Sequence, residues 1–217
     1  MSRPQVIFFD AVGTLFGVRG SVGQVYHGLA RQYGVDVEAE QLDNAFCKSF
    51  KAAPPCAFPG VRRIDLAKLE FEWWEAIVEQ TFEQVGALDR FKNFPAFYSQ
   101  LYSYFETAEP WVIYDDTLPT LKKIQSLDIP MGVLSNFDSR LYKVLKVLNL
   151  EGFFSSITIS SEVGVAKPDP IIFTIALAKH HCEPENAWHI GDSVKEDYEA
   201  ANLAGLRGVL INRECEG

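Results

Sequence analysis

Five residues combine types and positions that could do chemistry: Asp10, Ser135, Lys167, Asp192 and Asp197. Asp10 follows the apolar run QVIFF, and Ser135-Asn136 closes the run PMGVLS. Lys167 lies a few residues beyond SSITIS, and Asp192 follows AWHIG. If those runs are strands of an open α/β sheet, the residues just after them face the crevice where such sheets bind ligands. Three carboxylates, a hydroxyl and an ammonium would then meet on one rim. The carboxylates would repel one another unless a cation lay among them. Hard oxygen ligands with few protein contacts suit Mg²⁺, which usually brings a phosphate with it. Lys167 and the Ser135 hydroxyl, with backbone N–H groups, would hold phosphoryl oxygens. Asp10 could attack phosphorus and form an aspartyl-phosphate that water hydrolyses.

Each residue also has an ordinary structural reading. Asp10 could shape a turn, and Lys167 could be a solvated charge. Ser193-x-x-Glu196 is a capping box, and Asp197 would suit the first turn of the helix it opens. Asp169 is read as an N-cap before Pro170. The chemical reading rests on the order of the residues and their shared place at strand ends.

The elements that must position them alternate in the second half of the chain. Strands are predicted over 130–135, 156–160, 187–190 and 208–211, and helices over 139–148, 170–179 and 194–204. This rhythm predicts a doubly wound parallel sheet, an α/β fold, which the run 5–9 joins from the other end of the chain. Between Gly17 and Pro110 the alternation stops and no strand is expected. Helices are read over 21–33, with Ser21 as N-cap, over 38–50 and 65–85, and over 88–105 with a break at Pro95. The third has a wide apolar face carrying Trp73 and Trp74, read as core. The organisation expected is a core of residues 1–16 and 111–217, interrupted by a helical insert over 17–110.

Composition narrows the function. The chain has 217 residues, 47% of them apolar, and a formal net charge of −9. That size gives a substantial core, and such an acidic surface disfavours nucleic acid and anionic lipid. No apolar run reaches the roughly 18 residues of a spanning helix, and no signal-peptide pattern opens the chain. Cys47, Cys56, Cys182 and Cys215 form no CxxC pair, so a reduced, cytoplasmic setting and a small-molecule substrate are expected. Gly17 to Gly23 lacks the ending of a phosphate-binding P-loop. His180-His181-Cys182 is read as a helix C-terminus, and His189 as a core residue.

The segments Asp10-x-x-Gly13-Thr14-Leu15, Ser135-Asn136, Lys167-Pro168 and Gly191-Asp192-Ser193-x-x-x-Asp197 together resemble the four ordered motifs of the haloacid dehalogenase superfamily. The helical insert resembles that of its helical-cap branch. The resemblance covers nearly the whole chain. It implies that Asp10 is the nucleophile and a metal ligand, and that Val12 offers its backbone carbonyl to Mg²⁺. It further implies that Asp192 and Asp197 complete the metal site, while Ser135, Asn136 and Lys167 bind the phosphoryl group. The glycine-rich segment after the first motif would let the cap open and close over the site.

One position departs from the family's phosphatases. They usually carry a second Asp two residues after the nucleophile, where it protonates the leaving group and then activates water. Here the residue is Val12. Losing such a group typically costs about 10²–10⁴ in rate. A phosphatase reading therefore needs a good leaving group or another proton donor, such as His27 or Tyr26. Carbon–halogen hydrolysis needs no leaving-group acid, but the family's dehalogenases work without metal, and none of Arg31, Arg62 or Arg63 is assignable to halide. A carbon–phosphorus lyase would need an insert lysine, for which Lys48 and Lys51 are available. A regulatory protein that binds phosphate and metal without turnover would not need the nucleophile.

Overall fold

Val6–Phe9 forms a strand (β1) with all four side chains buried, as expected of a run covered on both faces. The computed structural model describes residues 3–213. After β1 the chain makes a short strand, β2 (Phe16–Val18), and then a helical insert. Its helices are α1 (Val22–Gln32), α2 (Ala39–Ala52), α3 (Arg63–Gln84) and α4 (Phe94–Tyr104). It returns through β3 (Trp111–Ile113), α5 (Thr117–Gln125), β4 (Met131–Ser135), α6 (Arg140–Val147) and β5 (Ser156–Ile159). The remainder is α7 (Ser160–Val163), α8 (Pro170–Ala178), β6 (Ala187–Gly191), a wide π-type turn over Val194–Glu199 leading into α9 (Ala200–Leu203), and β7 (Arg207–Leu210).

The main sheet has the order β5-β4-β1-β6-β7, and every pairing is parallel. Strand alternation splits β1 between two cores. Ile7 and Phe9 pack with Leu121 of α5 and Leu141, Val144 and Leu145 of α6. Val6 and Phe8 pack on the other face with Ile172 and Phe173 of α8 and Ala200 and Ala201 of α9. This is the doubly wound α/β fold expected. Strand order reverses at β1, so the crevice between β1 and β6 is the switch point where ligands bind.

The insert has its own core of Tyr26, Leu29, Leu42, Val78, Phe82 and Phe97. Ser21 caps α1, accepting from the Gln24 N–H at 3.2 Å. Asp169 caps α8, accepting from the Ile171 N–H at 2.9 Å. The expected break in the 88–105 helix is present but lies over residues 91–93, between a 3₁₀ turn at Leu88–Arg90 and α4: Pro95 itself sits in the first turn of α4, where its missing N–H costs nothing, and Asn93 caps that helix. The expectation of no strand within 17–110 is also corrected, because β2 runs to Val18 and pairs antiparallel with β3. Three residues with a central glycine show no periodicity, and their partner lies more than ninety positions away. Helix α5 was not read from the sequence.

Among the described residues no helix is long and apolar enough to cross a membrane. Cys47, Cys56 and Cys182 are free thiols, and Cys215 lies outside the described residues.

Candidate active site at the carboxyl ends of β1, β4 and β6

Asp10 leaves β1 with its N–H still donating to Ile190 O of β6 at 2.9 Å. The chain then turns tightly: the Leu15 N–H donates to Ala11 O at 2.8 Å and the Gly13 N–H to Phe16 O at 2.9 Å. Gly13 adopts φ +87°, and a Cβ there would run into the Asp192 carboxylate. Glycine is required on both counts. Gly191 makes room in the same way for Asp197.

Lys167 is buried between two carboxylates. Its Nζ donates to Asp10 Oδ1 at 2.7 Å and to Asp197 Oδ1 at 2.5 Å. Asp197 Oδ1 also meets His189 Nε2 at 2.8 Å, and Oδ2 accepts from the Ser193 N–H at 3.0 Å. Burial pushes the Asp10 carboxyl up against the pull of Lys167. Burial acts on Asp197 in the same sense, but the His189 hydrogen bond and the Lys167 charge outweigh it and hold that carboxyl down. Burial would lower Lys167, yet its two carboxylates raise it and keep it an ammonium. Burial lowers His189. A neutral ring with its proton on Nε2 donates to Asp197 and leaves Nδ1 without a partner, as found.

Asp192 lies exposed at the rim, with the Thr14 hydroxyl 3.4 Å from Oδ1. Partial desolvation of its carboxyl against the protein and the charges of Asp10 and Asp197 push it up to about 6. One oxygen each of Asp10, Asp192 and Asp197 lies within 4.8 Å of the others. With one ammonium against three carboxylates, the cluster retains an excess of negative charge. A hard divalent cation fits that donor set. Asp10 and Asp192 have oxygens to offer it, whereas both Asp197 oxygens already accept hydrogen bonds.

The other sequence-predicted residues fall into place unequally. Ser135 ends β4 and lines the same cavity as Asp10, Val12 and Lys167. Asn136 reaches the site but commits its amide elsewhere. Its Oδ1 accepts from the Lys167 N–H at 2.7 Å, and its Nδ2 donates to Lys167 O at 2.9 Å and to Glu196 Oε2 at 3.0 Å. It thus clamps the Lys167 backbone. The expected capping box is half formed: Ser193 Oγ accepts from the Glu196 N–H, but the Ser193 N–H goes to Asp197 rather than Glu196. Tyr26 and Lys51 line the cavity; His27, Lys48, Arg31, Arg62 and Arg63 are not among its lining residues. His27 Nδ1 instead meets Val37 O at 2.7 Å.

The cavity has a volume of about 720 Å³ and extends from Asp10 into the helical insert. Trp73 and Trp74, read as insert core, are half-buried and line it. Trp74 Nε1 donates to Asp138 Oδ2 at 2.6 Å. Asp138 and Arg140 form a buried bidentate pair at 2.9 and 2.7 Å, with the guanidinium 3.8 Å from the Tyr102 ring centroid. Glu70 of α3, fully buried, accepts from the Ser139 N–H at 2.9 Å, from the Ser139 hydroxyl, and from Ser161 Oγ at 2.6 Å. Sequence reasoning missed these partners. His189, at a buried position of β6, carried a signal: an imidazole eight residues before an acid that lies on the same rim.

A family model described as a haloacid dehalogenase-like hydrolase matches residues 4–205. The chain is 34% identical, over 213 residues, to the haloacid dehalogenase-like hydrolase domain-containing protein 3 of Danio rerio, covering 96% of this chain and 85% of that protein. Among solved structures it is similar to the defluorinating L-2-haloacid dehalogenase Rha0230, with a TM-score of 0.77 and 19% identity over 97% of this chain and 82% of that one. It is also similar to an HAD phosphatase from Thermococcus onnurineus, with a TM-score of 0.65 and 21% identity over 98% of this chain and 88% of that one. At these identities the two structures share the fold alone.

Proposed function

The chain belongs to the haloacid dehalogenase-like hydrolases, and from that membership we propose that it is a Mg²⁺-dependent phosphomonoester hydrolase working through an aspartyl-phosphate on Asp10. The observation that carries this reading is the carboxylate trio with Lys167 bridging Asp10 and Asp197. Mg²⁺, held by Asp10, Asp192 and the Val12 carbonyl, would supply positive charge for phosphoryl oxygens and relieve the repulsion among the carboxylates.

Asp10 attacks phosphorus, and the bond to the leaving oxygen breaks. Lys167 and the Ser135 hydroxyl donate to the phosphoryl oxygens as charge shifts onto them. Asp197, itself held by His189, fixes the direction of the Lys167 ammonium. Asn136 fixes the Lys167 backbone from the other side. The helices of the insert act as a cap and exclude bulk water from the cavity. Val12 has no proton to give, so turnover of alkyl esters is slow, by about 10²–10⁴ relative to a site with an acid there.

The test is phosphate release from a panel of small phosphate esters and acyl phosphates, with Mg²⁺ and with EDTA, alongside Asp10→Asn. Release that needs the metal and disappears in the variant is expected. Release that survives either change overturns the reading. Val12 itself favours one second reading, carbon–halogen hydrolysis, since a halide leaves without a proton. That reaction would release halide from 2-haloacids and ignore EDTA. The unbalanced negative charge around Asp192 favours the metal-dependent reading over it.

A further inference from the structure

The cavity over Asp10 has a lining that phosphoryl chemistry does not require. Its volume, about 720 Å³, falls in the range of sites for ring-bearing molecules, about 300–1,000 Å³, and a phosphoryl group fills only a small part. One wall is a run of touching rings. Tyr26 meets Phe46 edge-on at 5.7 Å, Phe46 stacks on Phe50 at 5.6 Å, and Phe50 stacks on Trp74 at 5.9 Å. Phe137 and Trp111 line the cavity too. Such faces favour a flat apolar group, through both area and ring geometry. Besides Lys167, the lining holds one further buried cation among the described residues, Arg140, which is paired through two N–H groups with Asp138, so it does not call for a second anion. Lys51 and Lys195 also line the cavity, but both are exposed to water.

Position 12 gives an independent constraint. With valine there, the leaving oxygen departs unprotonated. An alkyl alcohol, about as weak an acid as water at about 15.7, does this poorly, whereas a phenol ionises near 10. Resting on the phosphatase reading above, we propose that the substrate is an aryl phosphate monoester, with its ring seated among Tyr26, Phe46, Phe50 and Trp74 and its phosphoryl group on Asp10. An Asp10 carboxylate oxygen forms a bond to phosphorus as the bond from phosphorus to the phenolic oxygen breaks, and the electron pair leaves on the phenolate, which takes a proton from solvent. Water then attacks phosphorus, its proton passes to a phosphoryl oxygen, and the bond to Asp10 breaks, returning the carboxylate and inorganic phosphate.

The test measures kcat/KM with Mg²⁺ for 1-naphthyl phosphate, phenyl phosphates of graded leaving-group acidity, glycerol phosphate and acetyl phosphate, in the wild type, Val12→Asp and Phe50→Ala. Phe50 is 44% exposed, so its truncation spares the fold. The naphthyl ester is expected to exceed the glycerol ester by about 10²–10⁴, with a rate that rises steeply with leaving-group acidity and a slope that flattens in Val12→Asp. Phe50→Ala should lower the ratio of naphthyl to acetyl phosphate turnover about tenfold, the effect of losing one stacking partner. Naphthyl and glycerol esters within tenfold of each other, or a flat dependence on leaving-group acidity, overturn the assignment. Turnover of acetyl phosphate with none of any aryl ester overturns it as well and leaves the phosphatase reading standing. No phosphate from any compound of the panel overturns both.

Discussion

Lys167 shows how one buried charge organises this site. It lies within 2.7 Å of two carboxylates that are themselves nearly inaccessible. Removing one partner of such a buried group leaves uncompensated charge, at a cost of about 3–5 kcal/mol. Lys167→Met should lose stability of that order in urea unfolding. Mg²⁺ should restore part of it, because a cation beside Asp10 takes over some of the lost compensation. Wild-type stability in the variant would mean that the bridge contributes little. Asp10, Lys167 and Asp192 were legible because each comes at or soon after an apolar run and chemistry constrains its type, and Asp197 because it stands five residues beyond Asp192. Their supporting partners were not. Asp138 and Arg140 are ordinary residues in the sequence, and even where His189 carried a signal only folding sets its imidazole 2.8 Å from Asp197 or closes a guanidinium onto a carboxylate. Nor does the type of Asn136 reveal that its amide spans Lys167 and Glu196 instead of facing the cavity.

At the scale of elements, one carboxylate of α3, beside the Trp74–Asp138 hydrogen bond, ties that helix both to Ser139 beyond β4 and to Ser161 of α7. Glu70 satisfies three donors, two on Ser139 and one on Ser161, in a fully buried setting. Glu70→Leu would leave them unpaired. An unfolding loss of about 1–3 kcal/mol is expected, with increased exposure of Trp73 and Trp74 seen as a red shift in fluorescence. An unchanged spectrum and midpoint would show that the Glu70 hydrogen bonds do not hold α3 in place. The regular βα alternation was readable because strand and helix periods differ and each element is long enough to display one. The β2–β3 ribbon is too short for that, and the wide apolar face read on α3 also carries the buried Glu70. Periodicity reports that a face is covered, without distinguishing an oily neighbour from a set of hydrogen-bond donors.

At the scale of the whole molecule, binding at the rim is coupled to folding. A ligand that binds only the folded chain stabilises it by about 2.7 kcal/mol at 100 times its Kd. Saturating Mg²⁺ should therefore raise the melting temperature, EDTA should reverse the rise, and Asp192→Asn should abolish it; a rise that persists in Asp192→Asn would place the cation elsewhere. The ribbon described above has a further consequence. The chain leaves the sheet for the helical insert along Phe16–Val18 and comes back along Trp111–Ile113, and these two passages are hydrogen-bonded side by side, Val18 opposite Trp111. Ninety-odd residues thus hang from a stalk whose two strands already stand one hairpin apart. A tight Asn-Gly turn could close that gap. Apart from ties such as those through Glu70 and Trp74, the sheet could thus be closed without the insert, so the same rim of acids could carry a different insert and with it a different chamber.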